Sequence, residues 1–393
     1  MKFKWNGLVE QRQRIMAKIK PWYKKITALT ASILILFFVI GVLTTIQPGY
    51  RLSSSTINDW TRQIAGSSFL HLMQMENRAL GLAYPEDAKS IEVSELVFEM
   101  ATSLKPNDPR SLLGRELPGF NAYDSKIIVA GEGTDYTNLP IESSAPLDVV
   151  LEDRDVKDEP EPSKPDKQPD DDQPTTGDRD VVFIYNSHNR ESFLPHLDGV
   201  SDADHAHHSE LNIGRVSERL EEGLEANGIG TQVDQTDVMN ILNEKGWEYW
   251  QSYTASKPIV EEALASNTNI QYVFDLHRDS IDREHTTTTI DGKTYGKLAF
   301  VVGEDYKNEK NLQFATMLHE KIKEKYPSLT RGVIQQGGQG NNGVYNQNLN
   351  DNSILIEVGG VDNSLEELYR TVDILADEFS DYYWDAEKVQ GNQ

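Results

Sequence analysis

Residues Val181–Phe193 read VVFIYNSHNRESF. The run Val181–Tyr185 is almost wholly apolar and stops abruptly at a polar turn carrying His188. Such a run, too short for a helix and without polar alternation, suits a strand buried on both faces of a helix-covered parallel sheet. Two later stretches repeat the pattern: QYVFDLHRDS, with its strand over Ile270–Leu276, and ILIEVGG, with its strand over Ser353–Val358. Between them the periodicity predicts a helix over Leu211–Leu224, a short strand at Thr231–Val233 and a helix holding Ile259–Ala265. A further helix over Asn311–Tyr326 is stopped by Pro327, and a last one is capped by Asp362 or Asn363 and runs to about Tyr383. Thr286–Ile290 and Lys297–Val302 flank Asp291-Gly292 and read as a hairpin with a longer loop. Strands alternating with helices predict an α/β domain over 181–393: a central, mostly parallel sheet with helices on both faces.

Upstream, composition changes sharply. Glu152–Asp180, EDRDVKDEPEPSKPDKQPDDDQPTTGDRD, is Pro-rich, charged and almost without apolar residues. It predicts a disordered acidic linker, whose 29 residues reach up to about 100 Å when extended. Residues 51–151 form an N-terminal region with amphipathic helical patterns at Ile57–Met73 and Val93–Leu104; its single histidine, His71, reads as structural. Ahead of it, Ile26–Ile46 contains no charged residue, and its 21 residues span roughly 30 Å as a helix, one hydrocarbon core. Residues 1–25 carry eight Lys/Arg against one Glu, which predicts a cytoplasmic tail, a single-pass transmembrane anchor and an extracytoplasmic remainder.

Charge and cysteine content narrow the chemistry. The formal charge is −25, and outside the basic tail the chain is more acidic still, which argues against a nucleic-acid partner. The chain has no cysteine, so a thiolate metal site and a thiol nucleophile are excluded. Any metal would be held by His, Asp or Glu.

Open α/β sheets build their sites beyond the carboxyl ends of their strands. There the sequence places His188, His277 and Glu357, one from each central strand, and the cluster HAHH, His205–His208, precedes the helix that begins near Ser209. Imidazoles from separate elements meeting around one ion, with a free carboxylate beside it, are what a catalytic zinc needs. Glu357 would move the proton of the attacking water, Arg278 would stabilise an oxyanion and Asp279 would orient an imidazole. Asp275 points away and is the weaker ligand candidate; Glu191 could join His188, though an offset of three in a loop fixes nothing. His196 and His285 read as solvated. Ser187 and Ser280 lack the G-x-S-x-G context of a serine nucleophile.

The segments YNSHNRESF, HHSELNIGRVSERL, FDLHRDS and LIEVGG together resemble the stage II sporulation protein P family, as do the anchor, the acidic stretch and the length. The resemblance implies a sporulation peptidoglycan hydrolase similar to zinc-dependent N-acetylmuramoyl-L-alanine amidases. Such an enzyme cleaves the amide between the lactyl group of N-acetylmuramic acid and L-alanine, with possible endopeptidase activity on cross-links. It implies His188 and His277 as metal ligands and Glu357 as the catalytic glutamate. The middle ligand, a Glu in the amidases four residues before an Asn-Leu pair, would fall on His208 before Asn212-Ile213, with His207 the alternative. The implied partners are stage II sporulation proteins D and M, acting on septal wall between mother cell and forespore during engulfment. A non-catalytic wall-binding scaffold, or a carboxypeptidase-like enzyme on free peptides, would share much of this pattern.

Overall fold

The computed structural model describes residues 125–143, 145–157, 173–305, 309–337 and 341–391. All fall in one compact unit, Asn107–Gln393. The basic tail, the apolar run Ile26–Ile46, His71 with the helical patterns around it, and residues 158–172 of the acidic stretch lie outside the described residues. Among the described residues no helix is long and apolar enough to cross a membrane.

The strands are β1 (Lys126–Ala130), β2 (Asp180–Tyr185), β3 (Gly230–Val233), β4 (Tyr272–Asp279), β5 (Thr287–Ile290), β6 (Lys293–Gly296), β7 (Leu298–Gly303), β8 (Thr330–Gln336) and β9 (Ser353–Gly360). The helices are α1 (Leu147–Leu151), α2 (Gly214–Ala226), α3 (Val238–Lys245), α4 (Ser252–Ser266), α5 (Arg283–Thr286), α6 (Glu309–Lys325) and α7 (Leu365–Gly391). Seven strands form one sheet in the order β1-β8-β7-β9-β4-β2-β3. The pairs β2–β3, β2–β4, β4–β9 and β7–β8 are parallel, and β1–β8 and β7–β9 are antiparallel. The mixed α/β fold with a mostly parallel sheet is therefore as the sequence predicts.

Strand β2 shows why. Val182 and Ile184 join the main core with Val216 and Leu220 of α2, Phe314 and Leu318 of α6 and Val372 and Phe379 of α7. Phe183 and Tyr185 point the other way, onto Val260 and Ala263 of α4. A strand with apolar side chains at every position needs a layer on each side, and these helices supply both.

Several boundaries differ from the sequence reading. Asp291 (φ 49°) and Gly292 (φ 80°) make a two-residue turn between β5 and β6, so the hairpin's second arm is Lys293–Gly296. The Lys297–Val302 run belongs instead to β7 in the main sheet. The cap of α7 is Ser364, not Asp362 or Asn363: the Ser364 and Glu367 side chains each accept the other's backbone N–H, a reciprocal capping box.

The larger correction concerns the domain boundary at 181. Strand β1 pairs with β8 at the sheet edge, and the segment after it lies across strand ends of the sheet. There Arg331 and Gln336 of β8 donate to the carbonyls of Asn138 and Pro140, and the Ser280 N–H donates to the carbonyl of Ile141. Nor is the whole of 152–180 free of the fold. Val156 bridges Leu197 and the Lys157 N–H donates to the His196 carbonyl, while Gln173 and Thr176 bond the carbonyls of Ala226 and Gly228.

Candidate metal centre

Parallel pairing of β4 with β9 sets His277 directly opposite Glu357. The register then slips, so that Asp279 faces Gly360, and Gly359 takes φ 63° in the extra length. A Cβ there would stand 2.4 Å from Leu368 and 2.7 Å from the Asn363 side chain, so the position demands glycine twice over. From the neighbouring strand, the turn after β2 is pinned to β4. Asn186 donates to the Leu276 carbonyl, and the Ser187 N–H and hydroxyl both donate to Asp275. That turn brings His188 and, three residues on, Glu191 beside His277.

One ligand atom from each of His188, Glu191 and His277 lies within 4.8 Å of the others, all three side chains being buried. His188 Nδ1 is 3.5 Å from Glu191 Oε1, and His277 Nδ1 is 3.6 Å from Glu191 Oε2. Each imidazole is fixed from behind through its other nitrogen. His188 Nε2 meets the Ser252 hydroxyl at 2.8 Å, and His277 Nε2 meets Asp275 at 3.0 Å and Ser187 at 2.9 Å. The inward atoms have no such partner: His188 Nδ1, His277 Nδ1, Glu191 Oε1 and Glu357 Oε2 are all buried without a hydrogen bond. Buried polar atoms are nearly always satisfied, so the orphans on the three clustered side chains, with that of Glu357 on the strand beside His277, mark a place for a bound cation and a water.

Electrostatics agree. Burial alone would raise the Glu191 carboxyl, but the two imidazoles and Arg278 hold it well below the usual range. Burial works to lower His277, and Asp275 with Glu191 overrules it and lifts the ring well above an ordinary imidazole. Glu357 is pushed well up by burial and then by the charge of Asp279. Without a cation, His277 and Glu357 therefore hold a proton more tightly than ordinary groups of their kind.

The structure redistributes the expected roles. Glu191, not His208, stands with His188 and His277. His208 lies in the loop outside the cluster, where its Nδ1 accepts the N–H groups of Glu210 and Leu211. His207 is fully buried with both ring nitrogens unpartnered, and burial, then Arg278, lowers it to about 3. His205 is exposed and His285 half-buried, but His196 is buried and accepts the N–H of Leu365 at the start of α7. Arg278 cannot serve an oxyanion: its Nε and both Nη atoms are committed to Ser192 O, Ser143 Oγ, Ser280 Oγ, Ala203 O and Ala206 O. Asp279 pairs with Arg331 and accepts the Ile141 N–H, so it orients no imidazole. Asp275, set aside as a ligand, does that job. Ser187 is fully buried and shares one nitrogen of His277 with Asp275, which is not a nucleophile relay. Sequence reasoning passed over Glu142, 3.9 Å from His188 Nδ1, and Tyr249, stacked on the His188 ring at 4.6 Å. The aromatic-rich stretch GWEYWQSY, 246–253, was the available signal for Tyr249.

A sequence profile of the family described as stage II sporulation protein P (SpoIIP) matches residues 107–380. Stage II sporulation protein P of Bacillus subtilis (strain 168) is 46% identical over 371 residues, 93% of this chain and 92% of that protein. Among solved structures, the N-acetylmuramoyl-L-alanine amidase AmiC2 of Nostoc punctiforme aligns over 52% of this chain and 97% of its own, at 13% identity and a TM-score of 0.32. The CwlD amidase from Clostridioides difficile, in complex with the GerS lipoprotein, aligns over 53% of this chain and 99% of its own, at 15% identity and 0.32. Scores of that size carry no conclusion about the site.

Proposed function

This chain belongs to the stage II sporulation protein P family, and we propose on that premise that it is a zinc-dependent peptidoglycan hydrolase. Its reaction would be cleavage of the N-acetylmuramoyl-L-alanine amide, with peptide cross-links as further substrates. One observation carries the chemistry: unpartnered buried atoms of His188, Glu191 and His277 lie together, and Glu357, with a further unpartnered oxygen, pairs in register with His277. Two imidazoles and one carboxylate suit zinc and leave a fourth position open, as catalytic sites require. His188, Glu191 and His277 would hold the ion; when bound, it would polarise the scissile carbonyl and lower the pKa of water.

The chain's own groups do the rest. Asp275 and Ser187 fix the tautomer of His277, and Ser252 holds the His188 ring through Nε2, so each ring presents Nδ1 inward. Glu357 accepts the proton of the attacking water and returns it to the departing nitrogen as the C–N bond breaks. Burial and the charge of Asp279 raise its proton affinity, which favours the protonated form that acts in the half of that transfer in which it returns the proton. By the same premise we propose anchoring through Ile26–Ile46 with the catalytic unit extracytoplasmic, and stage II sporulation proteins D and M as partners.

The test is mass analysis of fragments released from purified wall by the full-length chain, with chelator, and with zinc restored. Free lactyl groups and L-alanine amino termini should appear, vanish and return. A chain that binds wall and zinc but releases nothing would be a scaffold.

A further inference from the structure

We propose that Glu142, on the segment preceding the acidic stretch, is a substrate-contacting residue of the same site and binds the nitrogen side of the bond being cut. The inference rests on the hydrolase reading above. The segment is held by groups other than the three candidate ligands. Asp279 Oδ1 accepts the Ile141 N–H, Ser280 donates its N–H to the Ile141 carbonyl, and Ser143 bonds both Ser280 and Arg278. Glu142 sits between these clamps. Its Oε1 accepts the Tyr253 hydroxyl at 3.0 Å, and its Oε2 stands 3.9 Å from His188 Nδ1, too far for a hydrogen bond.

Exposure separates it from its neighbours. The Glu142 side chain is 20% exposed, against 3% for His188 and 0% for Glu191 and His277. It is therefore a carboxylate at the mouth of the cluster, with spare acceptor capacity on the oxygen nearer His188. In amide hydrolysis the leaving nitrogen starts as a weak N–H donor and ends as an amine that has gained the proton carried by Glu357. A fixed carboxylate accepting that N–H bonds it more tightly as charge develops, without giving or taking a proton itself. Glu357 and Glu142 then divide the work: one moves the proton, the other holds the group that receives it.

The experiment compares the full-length chain with Glu142→Gln and Glu142→Ala on two small substrates, a lactyl–alanine amide and the ester that replaces its N–H by oxygen. Expected are unchanged zinc content and melting temperature, a fall in kcat on the amide of about 10- to 100-fold, as for loss of a charge-assisted hydrogen bond, and little change on the ester. Equal losses on both substrates, loss of zinc, or no loss on the amide would overturn the role. Because the one hydrogen bond of the Glu142 side chain among the described residues is from the Tyr253 hydroxyl, whichever variant is folded reads the amide-to-ester ratio. If the unaltered chain cleaves neither substrate nor wall, it is the hydrolase reading that fails, a result distinct from any produced by the variants.

Discussion

Two polar networks are buried side by side at the end of β4, and they are built on opposite terms. Around Arg278, Asp279 and Arg331 every guanidinium nitrogen of Arg278 has an acceptor, and Asp279 takes Arg331 together with the N–H groups of Ile141 and Ile281. Around His188, Glu191 and His277 the outer nitrogens are satisfied and the inner atoms are not. A closed network contributes to one fold; an open one is complete only with a ligand. The side chains of adjacent residues of one strand, His277 and Arg278, fall on either side of that divide, while the Arg278 backbone N–H donates across it to Glu191 Oε2.

The comparison breaks first at the open network. His188→Ala, Glu191→Ala and His277→Ala should each lose bound zinc and wall hydrolysis while leaving the fold intact, checked by metal analysis and circular dichroism. Full zinc occupancy in Glu191→Ala would return the middle position to His207 or His208. Next in size, Glu357→Gln should keep zinc and lose about 10²–10⁴-fold in rate, the usual contribution of an acid–base group; a variant at the unaltered rate removes Glu357 from the mechanism.

The closed network should fail differently. Arg331→Met strands Asp279 in the interior and should cost about 3–5 kcal/mol of stability in a denaturant titration. A loss below about 1 kcal/mol would mean that water reaches Asp279 and the network is not closed.

A smaller effect sharpens the boundary. Asp275→Asn should weaken zinc binding by about 10- to 100-fold and change its pH dependence. Asp275 and Glu191 raise the proton affinity of metal-free His277. That protonation contributes stability below the ordinary imidazole range of about 6.5, lost as pH rises through the raised value. Zinc needs the same ring unprotonated, so its affinity falls as pH falls, and in Asp275→Asn the fall should begin at lower pH. An identical profile would place the controlling proton elsewhere. Least of all, His208→Ala should cost about 1 kcal/mol or less, as a lost cap does, with zinc content unchanged.

What could be read ahead of the structure follows from burial. Strands β2, β4 and β9 are apolar runs; His188 follows β2 in a turn, while β4 and β9 run on past His277 and Glu357, to Asp279 and Gly360. Strand β8, TRGVIQQ, is buried but half polar, because its Arg and Gln serve the segment laid across it, and so it gave no apolar signal. Glu191 is set by a turn bonded to Asp275 on another strand, which spacing alone does not reveal. The roles assigned to Arg278 and Asp279 went wrong for a related reason: their partners, among them Ile141, Ser143, Ser192, Ala206 and Arg331, lie on segments far away in sequence. A residue's neighbour in the chain says little about the direction in which a strand end turns it.

The docking of Lys157 on one side of the acidic stretch and of Gln173 on the other changes what that stretch can be. A leash lengthens the distance between two bodies; a cord tied at both ends to the same body lengthens nothing. The two points at which the stretch is held, Lys157 and Gln173, belong to one fold, so they add no distance between that fold and another body. Cleavage between those two points would leave Lys157 and Gln173 both bonded to one fold, and the carboxylate of Glu142 still facing His188.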